Sequence, residues 1–400
     1  MIRVLHHVDF MGLGGTERCC LLLLKHLPKG EFEAHAASPV GRLPIGKRLK
    51  YAVKRLLGNR KYEGKEEAAA WQSSRVPEFE ATLGRERVHR YARIADLGAT
   101  IERVRPHVLH VHCLKPGAAP FDAALLSARR SVPVTFATSH FGKEDAALAG
   151  RDPAVAVDRV LFVSGWLRDH ARWAAAGDAE RYDVLYNPVE HPVGDGDLRA
   201  ELGLAARTLV LGRIGRPSNH IHDPIAVAAF ARLVAEGKDL AYVAVAAPPA
   251  MREQARALGV EGRCRFLEPT VDPLRLSRFY RTIDVLAHAR RDGETFGCNI
   301  AEAFMHGRPC VTHRTAQFNA QVELVDEGVT GFVAGEGDVD GYARALGLLA
   351  ADRERCRGMG AAARLKAERL YEASRVGAKL AGLYRDALAA KGIAARTVPS

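Results

Sequence analysis

No stretch of the chain approaches the roughly 20 apolar residues that a membrane-spanning helix requires. The longest apolar run, Leu240 to Met251, is interrupted by two prolines, so no span is expected. The opening residues Met1-Ile2-Arg3-Val4-Leu5 pass directly into a strand-like pattern. They lack the charged n-region, long apolar core and small-residue cleavage site of a secretory signal, so secretion by that route is not expected. Cysteines number seven and form no Cys-x-x-Cys pair, which speaks against a disulfide framework and for reduced thiols in a cytoplasmic protein. Aromatic residues are only 7% of the chain, and no base-stacking array or nucleic-acid motif is present, so no nucleic-acid partner is expected. Acidic residues are the minority charge, 47 against 58 Lys and Arg. The resulting +11 favours an anionic partner, either a membrane face or a phosphorylated small molecule.

The chain has material for large cores. Its 400 residues, 48% hydrophobic and 26% charged, exceed one ordinary core and suit two packed domains. Over residues 1–190, short β-rich runs (Val4 to Val8, Glu33 to Ser38, Val108 to His112, Val134 to Thr138, Arg159 to Ser164, Val184 to Asn187) alternate with turns and amphipathic segments. Such alternation predicts a parallel sheet covered by helices, a Rossmann-like α/β unit. At Asn187 to Gly196 the pattern dissolves into Pro, Gly and charge, which reads as a linker. It restarts with Leu209 to Ile214, Leu240 to Ala246, Arg265 to Leu267, Val285 to His288, Pro309 to Thr312 and Gly331 to Val333, predicting a second Rossmann-like domain over 191–375. Val339 to Leu388 is almost continuously helical in composition, and residues 376–400 form a terminal helix and tail that can cross back to the first domain.

Residues 41–65 interrupt the first domain with nine basic residues against one acidic residue, Glu63, a net of +8. On a helix, Ile45, Leu49, Ala52, Val53 and Leu56 share one face between flanking lysines and arginines. Two readings stand: a solvated helix or flap near the site, or a docking strip for an anionic membrane surface or acceptor. The second would make the cytoplasmic protein peripheral at the inner membrane face.

The stretch most informative about chemistry is Asp292 to Phe304. It follows the strand Val285 to His288, and its helix is expected to begin near Phe296 or Gly297. Free backbone N–H groups there would point into the crevice at the carboxyl ends of the strands, a natural seat for a pyrophosphate. Gly297 leaves room for close approach. Glu294 and Glu302, eight positions apart, can accept hydrogen bonds from hydroxyls at opposite ends of one ligand, as on the ribose and hexose of a nucleotide sugar. By spacing alone, Glu294 reads equally as a helix cap and Glu302 as a surface residue. Gly14 and Gly15, after the first strand, would let backbone approach a phosphate or an acceptor, although Gly12 to Glu17 lacks the last glycine of a dinucleotide fingerprint. His107, His110 and His112 fall along one strand, but no carboxylate or cysteine completes a ligand set, so no metal is expected.

Several of these motifs, taken in order, resemble a known family. Glu294-Thr295-Phe296-Gly297, Glu302-Ala303, Gly307-Arg308-Pro309-Cys310-Val311 and Gly328-Val329-Thr330-Gly331-Phe332-Val333 are similar to the donor-site signature of family 4 retaining glycosyltransferases. The likeness continues upstream in Gly12 to Glu17, Val163-Ser164 and Tyr186 to Glu190. It implies a GT-B architecture, two Rossmann-like domains facing across a cleft, and hexose transfer from a nucleotide diphosphate sugar to a hydroxyl acceptor without metal or other cofactor. Carried over to this chain, it implies that Glu302 holds the ribose and Glu294 the sugar hydroxyls. Backbone at Phe296, Gly297 and Cys298 would hold phosphate and sugar, and Thr270 would lie near the base. Arg213 would stabilise the departing diphosphate, and His140 would sit near the sugar's reactive face. The family lysine about five residues after the arginine is absent, with no lysine until Lys238. Arg216 is the expected substitute, with His220 and His222 as weaker candidates. A nucleotide-sugar 2-epimerase of the same architecture and a catalytically silent sugar-nucleotide binding protein are the competing readings.

Overall fold

The computed structural model describes residues 1–12, 14–40, 74–93, 96–112, 130–140, 157–171 and 181–393. The basic segment 41–65 lies outside the described residues, as does Cys113. The chain divides into two units. The first takes Met1–Val163, Arg168–Pro188 and Val376 onward; the second takes Ser164–Leu167 and Val189–Arg375.

The first unit is built on seven parallel strands: β1 Ile2–Val8, β2 Phe32–Pro39, β3 Val88–Tyr91, β4 Val108–His112, β5 Val134–Ser139, β6 Arg159–Phe162 and β7 Tyr182–Val184. Their order is β3-β2-β1-β4-β5-β6-β7, with Val4 of β1 opposite Ala34 on one side and Val108 on the other. The order reverses between β1 and β4, which makes that point the topological switch of the sheet. Every residue of β4 and β5 is buried, as expected for parallel strands covered on both faces. The terminal helix Ala373–Ala390 contributes Val376, Leu380, Tyr384, Ala387 and Leu388 to this core at helical spacing.

Six parallel strands make the second unit: β8 Leu209–Ile214, β9 Leu240–Val245, β10 Cys264–Leu267, β11 Val285–Ala287, β12 Cys310–His313 and β13 Gly331–Ala334. Their order, β10-β9-β8-β11-β12-β13, puts the switch between β8 and β11. Apolar faces of the helices Ile225–Ala235 and Val339–Ala351 close its core through Ile225, Ala229, Phe230, Leu233, Tyr342, Leu346 and Leu349.

Most expected strands occur within a residue or two of their expected ends. β3 is a correction, because Val88-His89-Arg90-Tyr91 has no apolar run; it is a half-buried edge strand held by pairing with Ala36 to Pro39 of β2. A second correction concerns β7, which ends at Val184 rather than beginning there. The helical tract from Val339 consists of three helices, Val339–Ala351, Arg353–Leu370 and Ala373–Ala390. Asp352 caps the middle one, accepting from the backbone N–H of Arg355 at 2.8 Å, and Tyr371-Glu372 ends it. Among the described residues, no helix is long and apolar enough to cross a membrane.

Candidate functional site

In the second unit, β8 carries Arg213 toward its carboxyl end, in register with Ala244 of β9. The side chain is 4% exposed, and its Nε and Nη1 have no hydrogen-bond partner among the described residues. Gly215 makes its placement feasible, since a Cβ there would lie 2.5 Å from Nη1. Burial lowers the guanidinium's proton affinity, while the charge of nearby Glu294 opposes that effect and Arg290 adds to it. An arginine remains protonated in proteins, so a fixed, underused positive charge faces the switch point.

Across the switch, the segment after β11 supplies the counter-charge. His288 Nε2 lies 3.3 Å from Glu294 Oε1, and Arg290 Nη1 donates to Glu294 Oε2 at 3.1 Å. Arg290 is itself forked onto Asp292 at 2.6 and 3.1 Å. Burial alone would raise the Glu294 carboxyl, but the His288 hydrogen bond and the Arg290 charge hold it below the usual glutamate value. It is therefore an ionised acceptor at neutral pH. Its backbone is held as well, its N–H donating to Gln321 Oε1 at 3.0 Å. Gly293 and Gly297 have φ of +71° and +108°, so this turn requires glycine where the chain enters the helix Cys298–Met305. Asn299, in the first turn of that helix, donates from Nδ2 to the carbonyl of Ile214 at 3.1 Å. That bond sets the helix start beside the end of β8.

Glu302, one turn further, accepts from Tyr280 Oη at 2.7 Å, and Tyr280 stacks on His306 with ring centroids 4.9 Å apart. Cys298 opens the helix and is half-buried. Phe296 turns its ring inward against Tyr371, so only its backbone is available to a ligand. Thr270 lies past β10, where its Oγ1 accepts from the N–H of Asp272 at 3.2 Å. Arg216 and His220 are exposed on the turn after β8, whereas His222 is buried. Its Nε2 donates to Gln254 Oε1 at 3.1 Å, an orientation fixed because Gln254 Nε2 donates to the Pro224 carbonyl; His222 Nδ1 has no partner. Tyr242 Oη and His313 Nε2 are also buried without a hydrogen-bond partner, and both Tyr242 and His222 are close enough to Arg213 to feel its charge. Sequence reasoning named His222 only as a weaker substitute for the absent lysine, and it missed Tyr242, His313, Arg290 and Asn299. The charged triplet Arg290, Asp292, Glu294 at alternate positions was the one legible signal.

The first unit has polar groups of another kind. Gly14 precedes the helix Gly15–Lys25, and a Cβ on it would collide with the Glu17 carboxylate. His140 stands just past β5, with its Nε2 at 3.1 Å from His112 Nδ1. His112 Nε2 meets His6 Nδ1 at 3.0 Å, and His6 Nε2 meets Tyr384 Oη at 2.8 Å. Tyr384 Oη also bonds to His110 Nδ1, whose Nε2 lies 2.7 Å from Thr138 Oγ1. Burial pushes His6 and His140 down to about 3 and lowers His110 and His112 strongly, so the imidazoles are neutral at physiological pH. His107 does not belong with them: it precedes β4, and its Nδ1 accepts from the Arg3 N–H at 2.9 Å. It therefore lies outside the strand along which it was read with His110 and His112.

Residues 205–352 match the family model described as Glycosyl transferases group 1. The chain is 30% identical over 208 residues to the D-inositol 3-phosphate glycosyltransferase of Corynebacterium glutamicum (strain R), covering 50% of this chain and 48% of that protein. It thus spans about half the length of that relative. Its fold is similar to Anabaena Alr3699/HepE in complex with UDP-glucose, with a TM-score of 0.70 at 18% identity over 96% of this chain and 100% of that one. It is also similar to a glycosyltransferase from Rickettsia africae ESF-5, with a TM-score of 0.71 at 13% identity over 97% and 98%. The two parallel-sheet units have the GT-B architecture.

Proposed function

We propose that this chain transfers a hexose from a nucleotide diphosphate sugar to a hydroxyl acceptor, with retention and without a metal at the reacting centre, a reading supported by the match of residues 205–352 to the family model Glycosyl transferases group 1. The observation that carries the reading is Arg213: a buried guanidinium with two unpartnered donor positions beside an ionised Glu294 at a topological switch point. A buried, unpaired cation costs stability unless a ligand completes it, and a diphosphate is the anion whose charge grows as the glycosidic bond breaks. The complex of Anabaena Alr3699/HepE with UDP-glucose supports a nucleotide sugar as donor.

Roles follow from placement. The diphosphate lies against Arg213 and the first turn at Gly297 and Cys298, with Arg216 contributing from the exposed turn and His222 facing the same charge. Glu294 accepts from sugar hydroxyls, and Glu302 from the ribose, exchanging or sharing the Tyr280 hydroxyl. Thr270 lies by the base. Gly14, Gly15 and His140 belong to the acceptor-side unit, where a neutral His140 can hydrogen-bond an incoming hydroxyl. In the transfer, the C1–O bond to the diphosphate breaks with its electron pair leaving on phosphate. The acceptor oxygen bonds C1 from the same face, and its proton passes to the departing phosphate oxygen. Charge stabilisation and orientation supply the acceleration.

The test is a thermal-shift screen of nucleoside diphosphates, followed by product analysis with the stabilising donor. A cognate nucleotide at 100 times its Kd is expected to add about 2.7 kcal/mol. The product should keep the donor's anomeric configuration by NMR. An inverted product, or a stabilising nucleotide whose effect survives in Arg213→Ala, would overturn the reading.

A further inference from the structure

Three atoms of metal-ligand type converge in the core of the first unit. His6 Nδ1 comes from β1, His112 Nε2 from β4 and Cys20 Sγ from the helix Gly15–Lys25, and all lie within 4.8 Å of one another. The two nitrogens are 3.0 Å apart, and the sulfur is 3.8 Å from His6 Nδ1. Each of the three residues is fully buried. We propose that this His6–His112–Cys20 triad binds a divalent cation of the zinc class through three protein ligands.

Geometry is the first support. Bonds of about 2.0–2.1 Å to nitrogen and about 2.3 Å to sulfur, at tetrahedral angles, put two nitrogens about 3.3 Å apart and nitrogen and sulfur about 3.6 Å apart. The observed 3.0 and 3.8 Å need small adjustment, and the His112 Nε2–Cys20 Sγ edge, within 4.8 Å, would close toward about 3.6 Å on binding.

The surrounding hydrogen bonds are the second. A ligating imidazole is neutral and carries its proton on the far nitrogen, where an acceptor orients it. His6 Nε2 has the Tyr384 oxygen at 2.8 Å, and His112 Nδ1 has His140 Nε2 at 3.1 Å. Tyr384 Oη also meets His110 Nδ1, and His110 Nε2 lies 2.7 Å from Thr138 Oγ1, contacts that accommodate Tyr384 donating to His110 and His110 donating to Thr138. With the tautomers a cation would require, these outer contacts are all served and both inner nitrogens present lone pairs toward the sulfur. A cation at that point would join all three atoms.

Charge is the third. Burial and the nearby Glu17 carboxylate both keep the Cys20 thiol protonated in the bare protein, so a dication would displace that proton, and the thiolate so formed and Glu17 would then balance its charge. Two imidazoles and a thiolate select zinc or cobalt over magnesium, calcium or manganese. The expectation of no metal was drawn from strand Val108 to His112, which by itself holds no third ligand; folding brings in His6 and Cys20. This inference does not depend on the transfer reaction.

The full-length chain, purified without chelator, is expected to hold about one equivalent of zinc, and its cobalt-reconstituted form to show a sulfur-to-metal charge-transfer band. Cys20→Ser should abolish the band. Tyr384→Phe should keep it while weakening cobalt binding about tenfold, as loss of an orienting partner does. Absence of the band in the wild-type chain under saturating cobalt would overturn the proposal and leave a bare hydrogen-bonded chain. A band unchanged in Cys20→Ser would overturn it too, since the sulfur would then come from elsewhere. The wild-type measurement decides the matter even if a variant fails to fold.

Discussion

At the switch point of the first unit the buried polar groups are neutral imidazoles that bond to one another and to Tyr384, while at the switch point of the second they are charges, set around an arginine with two unpartnered donor positions. The topologies are the same kind, parallel and doubly covered. What differs is where polar satisfaction comes from. In the first unit it comes from within, apart from the point shared by His6, His112 and Cys20, so the groups add cohesion and a defined arrangement. In the second it is incomplete, so the groups favour an anionic ligand and weaken the bare protein.

That contrast can be broken at several points. Arg213→Ala should lower turnover about a thousandfold, the size of losing one preorganised donor to developing charge. Its melting temperature should hold or rise, because a buried guanidinium with Nε and Nη1 unpaired has been removed. Steady-state kinetics and thermal melts on the same preparation check this, and a large fall in stability would show that the arginine is a structural tie.

Acid should separate the units next. Among the described residues, the first unit holds seven histidines with lowered proton affinity against three in the second, so acid penalises the first more. For His6 and His140, the unfolded chain takes up protons below about 6.5 that the folded one refuses until about 3. Their contribution is therefore whole above pH 6.5 and is lost as pH falls through that window, at up to about 1.4 kcal/mol per group per pH unit. Hydrogen exchange read peptide by peptide at pH 5 should show Ile2–Val8 and Val108–His112 opening before Leu209–Ile214. The reverse order would mean that the imidazole network is not what limits the first unit.

The smallest effect sharpens the contrast within the second unit. Arg216 is exposed, so Arg216→Ala should change stability by less than about 0.5 kcal/mol and raise the donor Kd by no more than about fivefold. Calorimetric titration measures it. A loss as large as that of Arg213→Ala would place Arg216 in the diphosphate clamp as an equal partner.

Much of this was legible in the sequence. Leu209 to Ile214 and Val108 to His112 are β-branched and leucine-rich runs that only a buried parallel strand accommodates, and they occur as read. Gly297 marked the helix start to within a residue, because only glycine takes the left-handed conformation required there. The candidate residues Arg213 and Glu294 could be named, but their surroundings could not. Arg290 reaches Glu294 by a local turn, while Tyr242 and His222 come to Arg213 from other strands and loops. β3 escaped notice because pairing with β2 holds it, not its own composition.

Periodicity and glycine placement in the chain itself determined two α/β units, their strand order of appearance and the turn that delivers Glu294, since each depends on residues a few positions apart. Tertiary structure alone decided which polar groups meet: Tyr384 joins His6 across 378 positions, and Cys20 is carried to the same point by a helix. A sequence pattern records which face of an element is buried. It does not record what lies on the other side of that face, and a hydrogen bond or a ligand set depends on both sides.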